Sequence, residues 1–365
     1  MYPKLAESKL PFVPLLLIAP FFFWGTAMVA MKGAIPHTTP LFLAGTRLVP
    51  AGILVLAAAA IMGRPQPKGW LPWLWISAFA LVDGACFQGF LAEGLVRTDA
   101  GLGSVMIDSQ PLAVAVMSSF LFGEVVGLFG WLGLALGIIG ITLIGLPDGW
   151  LATWLPESLT GNYPAITVEL SQLWQGGEWL MLLAALSMAV GTVMVRALCR
   201  YADPVVATGW HMILGGLPLF ALSAGLESGQ WASLEVTDWL ALAYSTTFGS
   251  AIAYGLFFYF ASLGNLTSLS ALTFLTPVFA LLFGNLFLGE VLNPLQVAAV
   301  CLTLASIYLV NQREVLAEWL GLAAVQENVP RTAEKAVNRD PNLLSSTQKA
   351  SVEVPVRLTE SETER

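Results

Sequence analysis

Ten runs of predominantly apolar residues, at about 11–32, 39–62, 70–95, 99–122, 127–147, 178–199, 204–226, 237–263, 267–289 and 294–312, constrain this chain more than any other feature. A helix rising about 1.5 Å per residue needs roughly 20 such residues to cross the hydrocarbon layer of a bilayer. Inside that layer every backbone amide must be satisfied within the protein, which leaves helices and closed barrels. Runs of this length without polar alternation select helices. Composition agrees: 56% of residues are hydrophobic and only 11% charged, against roughly 25% charged in soluble domains. The expected fold is an all-α polytopic membrane protein with ten transmembrane helices, numbered 1 to 10 in chain order.

The helices fall into two related sets of five. Gln110-Pro111-Leu112-Ala113-Val114 recurs 166 positions later as Thr276-Pro277-Val278-Phe279-Ala280, and Phe122-Gly123-Glu124-Val125 recurs as Leu288-Gly289-Glu290-Val291. Gly25-Thr26 and Met28-Val29 map onto Gly191-Thr192 and Met194-Val195, and Trp73 onto Trp239. In helices 2 and 7 the offset becomes 164, pairing Pro40 with Pro204 and Gly45 with Gly209. Because five is odd, the second copy enters the bilayer from the opposite side, and inverted repeats of this kind are a transporter architecture. The expected organisation is a first repeat at 11–147, an outer loop at 148–177, a second repeat at 178–313 and a largely disordered cytoplasmic tail at 314–365.

With the N-terminus inside, Lys4, Lys9, Arg64, Lys68, Arg196, Arg200 and Arg313 lie on the inner side and only Lys32 and Arg97 outside. Basic residues favour the cytoplasmic face, so both termini are placed in the cytoplasm, and the expected location is the bacterial inner membrane. The first run is not followed by a small-residue cleavage site and is read as a retained span. Trp150, Trp154 and Trp174 give the 148–177 loop an interfacial character, with a lid as the functional alternative. Cys86, Cys199 and Cys301 share no metal or disulfide spacing and read as packing residues. No basic stripe suggests nucleic acid as a partner. The expected partners are the lipid bilayer and a small organic solute.

Ionisable residues inside spans are costly and are candidates for function. Here they are Arg47, Asp83, Glu93, Asp108 and His211. Arg47 would lie about 12 Å and Asp108 about 14 Å below the outer ends of their helices, so Arg47 could pair with Asp108 or with Asp83. His211 is the repeat equivalent of Arg47, and the two would bracket a central cavity. Asp83 and Asp108 are the carboxylates best placed for proton coupling or cation binding. Glu93 stands four residues before Arg97, where a pair on the helix surface is expected. Trp24, Thr26, Gln88, Ser109, Gln110, Tyr254, Tyr259, Thr273 and Thr276 could shape the cavity, although each alone reads more simply as packing. A cavity holding both Arg47 and a carboxylate would suit a zwitterion. Acidic residues are too scattered for a metal cage, and no cofactor is expected.

Pro111 and Pro277 each remove a hydrogen bond inside a span, and their equivalence suggests a bend belonging to moving parts. Glu124 and Glu290 stand at helix ends, where they read as caps or ligands of loop amides. The stripe Gly127, Gly130, Gly133, Gly137, Gly140 on helix 5 suits close helix packing, within the chain or, alternatively, across a homodimer.

The proline, the long apolar run and the closing Gly-Glu, present twice in a ten-helix chain, resemble the EamA-type drug/metabolite transporters. Trp24-Gly25 and its echo Val190-Gly191 are similar to that family too, and the Trp-rich 148–177 loop is similar to that of cyanobacterial and plant-chloroplast members. The resemblance covers about 11–313. It implies a secondary carrier of a small, amino-acid-like or amphiphilic metabolite, with helices 3, 4, 8 and 9 around the site, working by alternating access with proton coupling or exchange. A non-transporting membrane scaffold is the alternative. Enzyme status is not expected, since a His-Glu-x-x-His run, a Gly-x-Ser-x-Gly elbow and a phosphate loop are missing from the sequence.

Overall fold

The computed structural model describes residues 13–122, 127–145, 176–257, 272–273 and 275–320. Glu124, Tyr259, nearly all of the 148–177 loop and the tail beyond 320 lie outside the described residues. The chain divides into a helical unit, Met1–Leu316, and a second unit, Ala317–Arg365.

Among the described residues all regular structure is helical. The helices are α1 (Val13–Ala34, closed by the 3-10 turn Ile35–His37), α2 (Pro40–Ile61), α3 (Trp70–Arg97), α4 (Ala100–Ile107 and Gln110–Phe122), α5 (Leu128–Gly145), α6 (Glu178–Leu198), α7 (Pro204–Leu226), α8 (Val236–Phe257), α9 (Leu275–Leu288), α10 (Pro294–Asn311) and α11 (Arg313–Trp319). Eight are long and apolar enough to cross a membrane, while Leu128–Ile144 and Leu275–Leu288 are apolar but shorter and border residues outside the description. Leu54, Ile138, Leu217 and Leu282, on four different spans, are all well exposed. Large apolar side chains so widely exposed need a lipid solvent, and the protein is an integral, multi-pass membrane protein.

Three interruptions were not visible in the apolar pattern. Helix α3 contains a π-helical stretch, Ala80–Cys86, and α8 contains another, Thr247–Ile252. Adding 166 to the first range gives 246–252, so the two bulges occupy equivalent places in the repeat. Helix α4 is broken at Asp108-Ser109, which form a turn. The cause is local: Pro111 has no amide to offer the carbonyl four residues back, and the Ser109 hydroxyl donates to the Met106 carbonyl at 2.5 Å. What the sequence suggested as a kink at Pro111 is a full break just before it.

Helix α2 packs along α7, α5 along α10, and α1 along α9. The glycine stripe of α5 makes the second of these contacts: a Cβ at Gly133, Gly137 or Gly140 would meet Val310, Ser306 or Thr303 of α10 within 2.7 Å. Ser306 Oγ donates to the Gly133 carbonyl at 2.6 Å across the same seam. The stripe is thus used within the chain.

Among the described residues apolar packing falls into several clusters, the largest of them at one end of the helical unit. At the end where α1 finishes, here the far end, one cluster joins Met28, Met31, Leu43, Leu91, Val105, Met181, Leu242 and Ala299, drawn from seven or more helices. At the near end, where α1 begins, packing divides among separate clusters. Ile76 and Phe79 gather with Leu198 and Ala207, Leu112 with Leu134 and Val310, and Phe21 with Phe257 and Leu272.

Polar contacts join the halves at both ends. At the near end Arg64 Nη1 lies 3.3 Å from Asp203, and three further acids act at the far end. Glu227, at the end of α7, accepts from the amides of Leu41 and Phe42 at 2.9 and 3.1 Å and from the Thr39 hydroxyl at 2.7 Å. His37 Nδ1 lies 3.0 Å from Asp238. Glu290 accepts from the amides of Ala100 and Gly101 at 2.6 and 3.0 Å, satisfying donors that the first turn of α4 leaves open. Its position comes from Gly289, whose φ of +69° stops α9 in the left-handed conformation that glycine tolerates best. The Gly-Glu motif is therefore a helix stop followed by a carboxylate aimed at a helix of the other half.

Candidate functional site

The sequence singled out Arg47, Asp83, Asp108 and His211; two of these, Asp83 and His211, come together, and the pairing differs from the one expected. Asp83 Oδ2 lies 3.3 Å from His211 Nε2, with both residues buried. The bulge at Ala80–Cys86 sets Asp83 on the side of α3 that meets α6 and α7. Glycines let those helices close in: a Cβ on Gly84 would stand 2.8 Å from Gly215 Cα, and one on Gly191 would stand 2.6 Å from Asp83 Oδ1. Phe79 covers the imidazole at a ring distance of 4.5 Å.

Arg47 forms no ion pair with Asp83 or Asp108. Its Nη1 lies 3.0 Å from the Met31 sulfur, and its Nε has no partner among the described residues. A charged guanidinium with only 6% exposure would ordinarily be held by a carboxylate. Asp83 is committed to His211, and Asp108 accepts instead from Ser104 Oγ at 3.1 Å, one turn back on its own helix. Arg47 and His211 are not equivalently placed, since only the histidine lies against a carboxylate. The expected Glu93–Arg97 ion pair does not form among the described residues, although Arg97 still exerts an electrostatic pull on Glu93.

Tyr254 lies within electrostatic reach of both Asp83 and Arg47. Its ring packs at 5.3 Å against Trp24, which lies 5.3 Å from Phe257. Trp24, Tyr254 and Phe257 thus form an aromatic group that reaches toward the guanidinium through Tyr254. Nine buried side-chain N or O atoms lack a hydrogen-bond partner among the described residues. Six belong to residues singled out from sequence: Trp24 Nε1, Arg47 Nε, Gln88 Oε1, Gln110 Oε1, His211 Nδ1 and Thr276 Oγ1. Buried polar atoms are normally bonded, and each exception calls for an explanation; a site that receives a polar ligand supplies one.

The remaining candidates have local roles. Thr26 donates to the Phe22 carbonyl at 2.7 Å and lies 2.7 Å from the Tyr244 hydroxyl. The Thr276 amide donates to the Thr273 carbonyl at 3.0 Å, one residue before Pro277. A groove on the flank between α2 and α8, lined by Thr46, Pro50, Ile53, Trp239 and Thr246, holds none of these ionisable groups. Sequence reasoning missed Glu227, whose position after a span gave it the look of an ordinary loop acid. Its only signal was the Pro40 start of α2, which leaves nearby amides needing an acceptor.

The sequence matches the EamA-like transporter family twice, over residues 12–146 and 175–312. It is 61% identical to an uncharacterized transporter of Synechocystis sp., over 83% of this chain and 90% of that one. It is 53% identical to a WAT1-related chloroplastic protein of Arabidopsis thaliana, over 81% of this chain and 68% of that one. A crystal structure with 18% sequence identity superposes with a TM-score of 0.57, covering 84% of this chain and 97% of its own, which is a likeness of fold. With two family matches that together cover most of its length, this chain belongs to the EamA-like transporter family.

Proposed function

We propose that the protein is a secondary active transporter that moves a small organic metabolite by alternating access, coupled to protons or to exchange. The observation that carries this reading is the set of buried polar atoms, on α1, α2, α3, α4, α7 and α9, that no described residue satisfies. A scaffold gains nothing from such atoms, whereas a carrier must leave its site unsatisfied until the solute arrives. Contacts between the halves that alternating access would have to break and remake stand at both ends: the largest apolar cluster with Glu227, Asp238 and Glu290 at the far end, and the Arg64–Asp203 pair at the near end.

The layout we propose is ten spans in two inverted five-helix repeats. In its favour are the equivalent bulges of α3 and α8 and the pairing of α2 with α7 and of α5 with α10. Basic residues near the spans favour the near end as the cytoplasmic one, which would put both termini inside a bacterial inner membrane. The Asp83–His211 pair is the proposed proton site, because exchanging a proton between buried acid and base changes how tightly α3 is held to α7. Asp108, at the break in α4, is the second candidate.

The test is flux into proteoliposomes with a panel of radiolabelled amino acids, carboxylates and amines. At least one solute is expected to accumulate against an imposed proton gradient or by exchange. Asp83→Asn or Asp108→Asn should abolish the proton-driven component at normal protein levels. Wild-type flux in both variants from acid to alkaline pH would remove the proton role. Failure to move any solute, together with a stable stoichiometric partner, would replace the transporter by a scaffold.

A further inference from the structure

We infer that the central site binds an organic anion, a carboxylate carried on an aromatic or apolar body, with Arg47 as the residue that recognises its charge. The inference deepens the transporter reading by naming the chemical class of the solute. It starts from the imbalance around Arg47. The guanidinium is nine-tenths buried, its Nη1 has only a thioether sulfur, and its Nε has no partner. Taking a charge out of water costs far more than a weak contact with sulfur returns. Among the described residues no carboxylate pairs with the guanidinium: Asp83 lies against His211, and Asp108 accepts from Ser104.

A second orphaned donor and the aromatic group joined to Arg47 through Tyr254 fit the same ligand. Trp24 Nε1 is a second buried donor without an acceptor. An indole N–H and a guanidinium N–H both require an acceptor, and neither can bind an ammonium group. A carboxylate is planar and accepts from the guanidinium fork at short distance. Beside these donors, Trp24, Tyr254 and Phe257 stack edge to face or tilted at centroid distances of 5.3 Å, which offers an apolar seat for the rest of the molecule. A zwitterion would bring an ammonium group as well, and Asp83, the acid within electrostatic reach of Tyr254, already faces the His211 imidazole. The zwitterionic cargo suggested by sequence thus gives way to an anion once the Asp83 partner is known.

The test uses four probes of matched shape on the purified full-length protein: 3-phenylpropionate, its neutral amide 3-phenylpropanamide, 3-phenylpropylamine and phenylalanine. Binding is read by tryptophan fluorescence and by the thermal midpoint, which a ligand of the folded state raises. The expected result is that 3-phenylpropionate binds at least about tenfold more tightly than the other three, the worth of one charge-assisted hydrogen bond. Arg47→Gln should weaken that binding by about tenfold or more, and Arg47→Lys should retain part of it. Without ligand, Arg47→Gln should melt at a higher temperature than wild type, since it removes an unbalanced buried charge. A purely structural arginine would do the opposite.

The inference is overturned if 3-phenylpropionate fails to bind, if the amide, amine or zwitterion binds as well, if Arg47→Gln leaves its binding unchanged, or if that variant melts lower. Transport is scored separately with the same probes in proteoliposomes. A carboxylate that binds and does not cross would sink the transporter reading and leave the anion site standing. A zwitterion that crosses while the carboxylate does not bind would sink the anion site and leave the transporter.

Discussion

Asp83 meets His211 because Gly84, Gly191 and Gly215 carry no side chains that would hold α3 away from α6 and α7. At Gly191 an added methyl would stand 2.6 Å from the carboxylate itself. Gly191→Ala should therefore push Asp83 off the imidazole and destabilise the protein by about 1–3 kcal/mol, the usual cost of overpacking a filled site. A lowered thermal midpoint would show this, and Gly255→Ala is the control because a Cβ there meets nothing within 4 Å. An unchanged midpoint for Gly191→Ala would mean that the contact is loose. At this scale the sequence revealed which residues to watch but not how they pair. Arg47, Asp83, Asp108 and His211 stand out because each is ionisable within an apolar run. Partner choice depends on the rotation of α3 about its axis, and the bulge at Ala80–Cys86 changes that rotation. Nothing in the hydrophobic pattern of ALVDGAC announces a π-turn.

Helix existence was legible almost throughout, because long apolar runs have one solution in a bilayer. Its failures concern interruptions. The break at Asp108-Ser109 depends on a serine hydroxyl taking a main-chain carbonyl, and the two bulges depend on packing against α1, α6 and α7. Both bulges fall at equivalent places, Ala80–Cys86 and Thr247–Ile252, and π-bulges often accompany functional sites. Here each stands within a few residues of a polar or aromatic candidate, Asp83 and Gln88 in α3 and Tyr254 in α8. The glycine stripe of α5 was readable as a packing face from its spacing alone, and the structure supplies α10 as what it packs on. Gly140→Leu should separate α5 from α10 and lower the yield of folded protein, measured by monodisperse recovery in detergent. Gly127→Leu, where a Cβ meets nothing within 4 Å, should be recovered like wild type. Equal recovery of both variants would show that the α5–α10 seam contributes little.

For the whole molecule, the contacts between the two halves carry the functional account. The far end is held by a large apolar cluster and by Glu227, Asp238 and Glu290, all from the second half, set against His37, Thr39–Phe42 and Ala100–Gly101 of the first. In the proposed cycle these bonds break together, and the near-end Arg64–Asp203 pair breaks in the opposite phase. The repeat was legible from residues such as Pro111 and Pro277. The far-end contacts were not, because they join residues nearly 200 positions apart in sequence, such as Ala100 with Glu290.

The most direct test of alternating access is a pair of spin-label distances in a lipid bilayer, after Cys86, Cys199 and Cys301 are replaced by serine. One pair, Val96 with Val236, reports on the far end, and the other, Leu16 with Arg200, reports on the near end; all four residues are exposed. Distances are recorded from acid to alkaline pH, with and without 3-phenylpropionate and a mixed metabolite extract. The account predicts two populations at each end that exchange in opposite senses, the far end lengthening as the near end shortens. Distances that stay single under every condition, or that lengthen together, would contradict it.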